Sequence, residues 1–148
     1  MIGNNDKTVM SNRGRVIVVD GDDAQRKQMT SRLEEDLFDV RGYATGDDCL
    51  AKAADFDPDV ILLDIDMPGG IDTCRRLKQM PELQTVPVVF VTQRDDDPKT
   101  IEALAAGGND FLSKDASQPV MIARLSCQIT LNRTQRQLRN LAPRDSRP

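Results

Sequence analysis

The chain has no histidine and no tryptophan among its 148 residues, and only 3% of them are aromatic. The lack of imidazole excludes histidine acid–base chemistry and any phospho-histidine on this chain. With so few rings, aliphatic side chains must fill the core. Cysteine is sparse as well: Cys49, Cys74 and Cys127 are odd in number and form no CxxC pair. Reduced thiols in a cytoplasmic protein are therefore expected. No apolar run approaches the ~20 residues of a membrane span, and no signal peptide is apparent, so no membrane association is expected. Positive charge is not in excess, since 20 Lys and Arg against 24 Asp and Glu leave a net charge of −4. Binding to a phosphate backbone needs a cationic face, so nucleic acid is not expected as a direct partner.

What is present is a 39% apolar fraction, adequate for one core, in a chain of single-domain length. Residues 1–14 are polar and without periodicity, and are read as a flexible leader. Strand-like and helix-like segments then alternate five times. Strands are expected at Arg15–Asp20, Phe38–Tyr43, Asp59–Asp64, Val86–Thr92 and Asp110–Ser113. Helices are expected at Asp22–Asp36, Gly46–Phe56, Ile71–Met80 and Pro98–Ala106, with a last one starting near Gln118-Pro119. Asp22 or Asp23 should cap the first helix. Five β–α units with short links predict an α/β fold, and right-handed crossovers make it a doubly wound parallel sheet.

The most telling stretch is Val60-Ile61-Leu62-Leu63-Asp64-Ile65-Asp66-Met67-Pro68, an apolar run that ends in acids. Four large apolar residues in a row suit a strand covered on both faces. Asp64 then lies at a carboxyl end, where open α/β sheets form their ligand crevices. Asp20 ends the first strand in the same way. Gathering Asp20, Asp64 and Asp66 is costly unless a cation neutralises them. All-oxygen ligands favour a hard ion, for which Mg2+ is the natural candidate. Thr92 ends the fourth strand and offers a hydroxyl, while Lys114 follows the fifth and offers an ammonium. A carboxylate nucleophile, a divalent cation, a hydroxyl donor and a lysine together make a site for phosphoryl transfer.

At this point the chain resembles the CheY-like receiver domains of two-component response regulators, over about residues 15 to 131. The matching pieces are VIVVD at 16–20, ILLDIDMP at 61–68, CRRLK at 74–78, VPVVFVT at 86–92 and GGNDFLSK at 107–114. The resemblance implies a flavodoxin-like sheet of five strands in the order 2-1-3-4-5. It makes Asp64 the phosphoacceptor and Asp20 a Mg2+ site acid, and lets the main-chain carbonyl of Asp66 face the metal. Thr92 and Lys114 would contact the phosphoryl group, and Phe111 would be the aromatic switch residue. The implied partners are a histidine kinase or phosphotransfer protein and a downstream output domain or protein.

The chain also departs from the pattern. Receivers usually carry two adjacent acids after the first strand, whereas here the second position is Gly21, leaving Asp22 or Asp23 to reach the ion instead. Gly69-Gly70-Ile71-Asp72-Thr73 shortens the loop after Pro68. Gln93 follows Thr92 where a small residue is common, and its long side chain could gate Asp64. Asp115 replaces the proline whose preceding bond is typically cis; a cis bond before Asp would cost roughly 2.5–4 kcal/mol. These departures admit an alternative, a phosphorylation-independent pseudo-receiver serving as an interaction module. A further rival comes from Asp64-Ile65-Asp66, which matches the DxD of haloacid-dehalogenase-type phosphatases, with Asp95-Asp96-Asp97 as a later acidic group. That motif normally lies on a first strand, and the chain has no room for a substrate-specifying cap.

Pro119 to Leu141 fits one helix of about 23 residues, or ~35 Å, about twice what a final receiver helix needs. Met121, Ile122, Leu125 and Ile129 form its core-facing stripe. Residues 132–148 are therefore expected to be a helical extension and polar tail. Leu131, Leu138 and Leu141, spaced 7 and 3 apart, offer a seam for a homodimer.

Overall fold

The computed structural model describes residues 13–93 and 97–141. Most of the leader, the acidic run at Asp95-Asp96 and the tail beyond Leu141 lie outside these residues. Five strands, β1 (Arg15–Val19), β2 (Asp39–Tyr43), β3 (Val60–Asp64), β4 (Val88–Thr92) and β5 (Asp110–Ser113), alternate with five helices. The helices are α1 (Asp23–Glu35), α2 (Gly46–Phe56), α3 (Gly70–Gln79), α4 (Asp97–Ala105) and α5 (Gln118–Leu141). All strand pairs are parallel and the sheet order is β2-β1-β3-β4-β5, as the resemblance implies. No helix among the described residues is long and apolar enough to cross a membrane.

Side chains alternate between faces along each strand, so the three central strands feed two cores. Ile17 and Val19, Ile61 and Leu63, and Val88 and Phe90 point to one face, where Cys49, Ala53, Cys74, Leu77 and Ala103 of α2, α3 and α4 cover them. Val16 and Val18, Val60 and Leu62, and Val89 and Val91 point to the other, against Met29 and Leu33 of α1 and Met121, Leu125 and Ile129 of α5. Aliphatic residues do carry the packing, and Phe90 is the one fully buried ring. Burial pushes the thiols of Cys49 and Cys74 up to about 12 and about 11, so both are inert packing residues.

Segment ends differ from the sequence reading by one or two residues, each for a local reason. Asp22 caps α1, its carboxylate accepting from Gln25 N at 2.9 Å. Phe38 still belongs to the close of that helix, since its N–H donates to Leu33 O, and so β2 starts at Asp39. Pro81 does more than stop α3: it opens a short 3-10 turn, Pro81–Leu83, that buries Leu83. Val86 N donates to Leu83 O within that turn, which delays β4 to Val88.

The last helix runs unbroken for 24 residues, through the point where a receiver boundary was expected. Asn132 is buried, and its Nδ2 donates to Asp59 O at 3.3 Å. Arg133 contacts both carboxylate oxygens of Asp59 at 3.3 and 3.4 Å, and Arg136 pairs with Asp57 at 3.1 Å. The fifth helix is thereby pinned to the loop that enters β3, at the end of the strand opposite Asp64. Beyond the pin, Leu138 and Leu141 are exposed, as is Leu131 just before it.

Candidate functional site

The chain crosses from β1 to β2 on one side and returns to β3 on the other. The carboxyl ends of β1 and β3 therefore form the switch point where doubly wound sheets open a crevice. Val19 pairs with Leu63, which sets the next residues, Asp20 and Asp64, side by side. Asp64 pairs with Val91 across β3 and β4, so Thr92 stands one step beyond it. Thr92 pairs with Ser113, Lys114 follows, and Lys114 N donates to Thr92 O at 2.8 Å. The register alone thus gathers Asp20, Asp64, Thr92 and Lys114 at one edge.

Asp20 and Asp64 are each only 7% exposed. One oxygen of each is held by the turn that follows: Asp22 N donates to Asp20 Oδ1 at 2.9 Å, and Asp66 N to Asp64 Oδ1 at 3.0 Å. The other oxygens face Lys114 Nζ, at 3.8 Å from Asp20 and 3.5 Å from Asp64. Burial pushes the carboxyl of Asp20 above its ordinary range; the Asp22 N–H pulls it back, Asp64 pushes it up, and Lys114 pulls it back. One ammonium therefore does not fully offset two buried carboxylates. A cavity of about 160 Å³ opens beside them, bordered by Gln25, Met29, Arg32 and Gln93.

Among the described residues no three His, Cys, Asp or Glu side chains are grouped to hold a metal. Two carboxylates still suit Mg2+, which is commonly held by one or two and keeps several waters. The residual negative charge on Asp20 and Asp64 favours such a cation. Asp22 and Asp23 are engaged elsewhere, Asp22 as the cap of α1 and Asp23 in a 2.6 Å ion pair with Arg26. The carboxylate of Asp66 turns to Lys99 at 2.9 Å.

Phe111 is half-buried and stacks on Phe90, with ring centroids 5.8 Å apart and planes at 25°. It pairs with Phe90, two residues before Thr92 on the same face, and so is a diagonal neighbour of Thr92. Gln93 is exposed at the cavity rim. The short loop after Pro68 rests on two glycines: Gly69 is left-handed at φ 72°, and a Cβ on Gly70 would lie 2.6 Å from Asp64 O. No side chain larger than hydrogen fits at Gly70 without moving the strand end that carries Asp64.

The match to known proteins agrees with this geometry. The model of the response regulator receiver domain matches residues 16–126. The chain belongs to the response regulator receiver family. It is 31% identical over 117 residues to the phosphate regulon transcriptional regulatory protein PhoB of Rhizobium meliloti, covering 78% of this chain and 52% of that one. It is 36% identical over 113 residues to the response regulator PleD of Caulobacter vibrioides, covering 75% of this chain and 25% of that one. The chain thus spans about half of the one relative and a quarter of the other. Among solved structures, a putative response regulator from Chloroflexus aurantiacus superposes with a TM-score of 0.74 at 27% identity, over 79% of this chain and 98% of that one. The signal receiver domain of a histidine kinase from Syntrophus aciditrophicus gives a TM-score of 0.71 at 26% identity, over 79% and 90%.

As a receiver domain the chain accommodates its departure at Asp115 locally. No peptide bond among the described residues is cis, so the link before Asp115 is trans and the loop adapts: Asp115 N donates to Ser113 Oγ at 3.1 Å. Two contacts escaped the sequence reading. Lys99 reaches Asp66 from a different element, and no spacing signal announces it. Gln25 donates nothing to the crevice but accepts from Lys114 Nζ at 2.6 Å. The D-x-x-Q pattern at 22–25 was the available clue to Gln25, since it marks a helix start whose third residue can reach back.

Proposed function

We propose that this receiver is a phosphoacceptor, modified on Asp64 by a partner histidine kinase or phosphotransfer protein in a Mg2+-dependent reaction. The observation that carries this reading is the pair Asp20 and Asp64, both buried, facing Lys114 at a strand edge shared with Thr92. Bound Mg2+ would be held by Asp20, Asp64 and the main-chain carbonyl of Asp66, and would supply charge neutralisation to an incoming phosphoryl group. The oxygen of Asp64 that faces Lys114 would attack phosphorus as the P–N bond to the donor's histidine breaks and the imidazole leaves, while its other oxygen stays oriented by the N–H of Asp66. Lys114 neutralises the phosphoryl oxygens, and the hydroxyl of Thr92 donates to one of them. As Thr92 moves in, Phe111 slides along Phe90 into the space it leaves. The phosphorylated state then presents a different surface on α4, β5 and α5.

The chain accepts a phosphoryl group and is not a turnover enzyme. Residues 15–131 form the receiver, placed in the cytoplasm, and residues 132–141 continue α5 toward an output domain or a second copy of the chain. Incubation with acetyl phosphate and Mg2+ should add one phosphoryl mass, and Asp64→Asn should abolish it. An unmodified wild type would overturn the reading. Truncation before Asn132 should weaken self-association; unchanged association would remove the dimer from the proposal.

The second reading, an interaction module that works without phosphorylation, is supported by Gly21 and by the want of a third acid. It predicts no response to Mg2+ or beryllofluoride in the millimolar range.

A further inference from the structure

Lys114 does not close on the carboxylates it faces. Its ammonium lies 2.6 Å from Gln25 Oε1 but 3.5 Å from Asp64 and 3.8 Å from Asp20. Only the first is a hydrogen-bond distance. The side chains of Lys114, Asp20 and Asp64 are 14%, 10% and 9% exposed, so water does little to screen them. An ammonium among two buried carboxylates should be drawn onto them, and here a neutral amide holds it away.

The way α1 begins explains why Gln25 is available. Asp22 is the cap, and its carboxylate takes the N–H of Gln25, the third residue of the helix. In such a start the third side chain commonly folds back onto the N–H of the cap residue. That N–H is already taken by Asp20 Oδ1 at 2.9 Å. Gln25 therefore turns its amide oxygen into the crevice. Asp20 has two effects: it displaces Gln25 from the cap, and it presents its other oxygen to the lysine that Gln25 then binds.

We propose that Gln25 is a positioning residue that keeps Lys114 off Asp20 and Asp64, leaving the oxygens that face it to a divalent cation. The proposal rests on the Mg2+-dependent phosphoacceptor reading of this crevice. Without the amide oxygen, Lys114 swings onto the carboxylates and becomes a built-in competitor of Mg2+. Shortening an ion pair by ~0.7 Å at an effective dielectric constant near 20 corresponds to about a fivefold change in cation affinity.

Gln25→Met keeps the length and apolar stem of the side chain and removes the acceptor. Mg2+ binding should be measured by calorimetry on the wild type, Gln25→Met, Lys114→Met and the double variant. Gln25→Met should weaken binding about fivefold when Lys114 is present and not at all when it is methionine, a coupling that a merely structural role would not produce. No loss, or an equal loss in both backgrounds, overturns the proposal. A wild type that binds no Mg2+ sinks the functional reading instead. The position of Lys114 is then decided by 15N spectroscopy of its ammonium without metal. Gln25→Met should shift that resonance, and an unshifted one overturns the proposal on its own.

Discussion

Replacing Gly21 by aspartate should restore the carboxylate that this receiver lacks. The backbone allows it, because Gly21 is not left-handed and a Cβ there meets only Ala44 O, at 3.7 Å. Stiffening the unfolded chain favours folding by about 0.4–1 kcal/mol. Against that, the new carboxylate joins Asp20 and Asp64. Like charges about 6 Å apart repel by about 0.7 kcal/mol in water and roughly 3 kcal/mol at a dielectric constant of 20. Residue 21 is exposed, so the lower figure applies to each neighbour. The metal-free variant should thus lie within about 1 kcal/mol of wild type, on the unstable side. With Mg2+ the order reverses. A further ligand that tightens binding about tenfold is worth about 1.4 kcal/mol. At 100 times the variant's Kd the variant gains about 2.7 kcal/mol, while wild type, then at about 10 times its own Kd, gains about 1.4 kcal/mol. Melting temperatures followed against MgCl2, with KCl at matched ionic strength as control, should therefore cross. Parallel curves would refute the placement of the cation between Asp20 and residue 21.

Asp20 sits above its ordinary range in the fold, so between that range and its raised value the folded chain binds more protons than the unfolded one. Stability should fall as pH rises through that window, and the cost is fully present above it. Asp20→Asn should raise the metal-free melting temperature at pH 7 by about 2–4 °C, flatten its acid dependence and abolish the response to Mg2+; a lowered melting temperature would contradict the charge argument. Asp59→Ala should cost about 2–3 kcal/mol in urea unfolding, since it strips Arg15 N of a 2.8 Å acceptor and frees Arg133. A loss under about 1 kcal/mol would show that the pin beneath α5 is idle. Gly70→Ala should destabilise by about 2–3 kcal/mol and slow acetyl-phosphate labelling, because its Cβ would press to 2.6 Å on Asp64 O; wild-type stability and rate together would sink that account.

Most of the sheet was legible because its signals are local. The run Val60–Leu63 is apolar on both faces and ends in Asp64, which is what a central parallel strand requires. The ends of β2 and β4 were less legible, because Phe38 and Val86 are bound by neighbouring turns that apolar patterning does not encode. Within the crevice, strand-end positions named Asp20, Asp64, Thr92 and Lys114, since a parallel sheet aligns its carboxyl edge whatever the details of packing.

What needed the tertiary structure were distances and rivalries between groups far apart in the chain. Lys114 chooses Gln25, 89 residues away, over two carboxylates, and Lys99 finds Asp66 across 33 residues. Asp22 and Asp23, adjacent to the crevice in sequence, are drawn off by a cap and an arginine. The sequence by itself determined which chemical groups gather at the edge, because strand ends and crossovers are written in the local pattern. The fold alone decided which of them touch, because hydrogen bonds and ion pairs are settled by tenths of an ångström among competing partners.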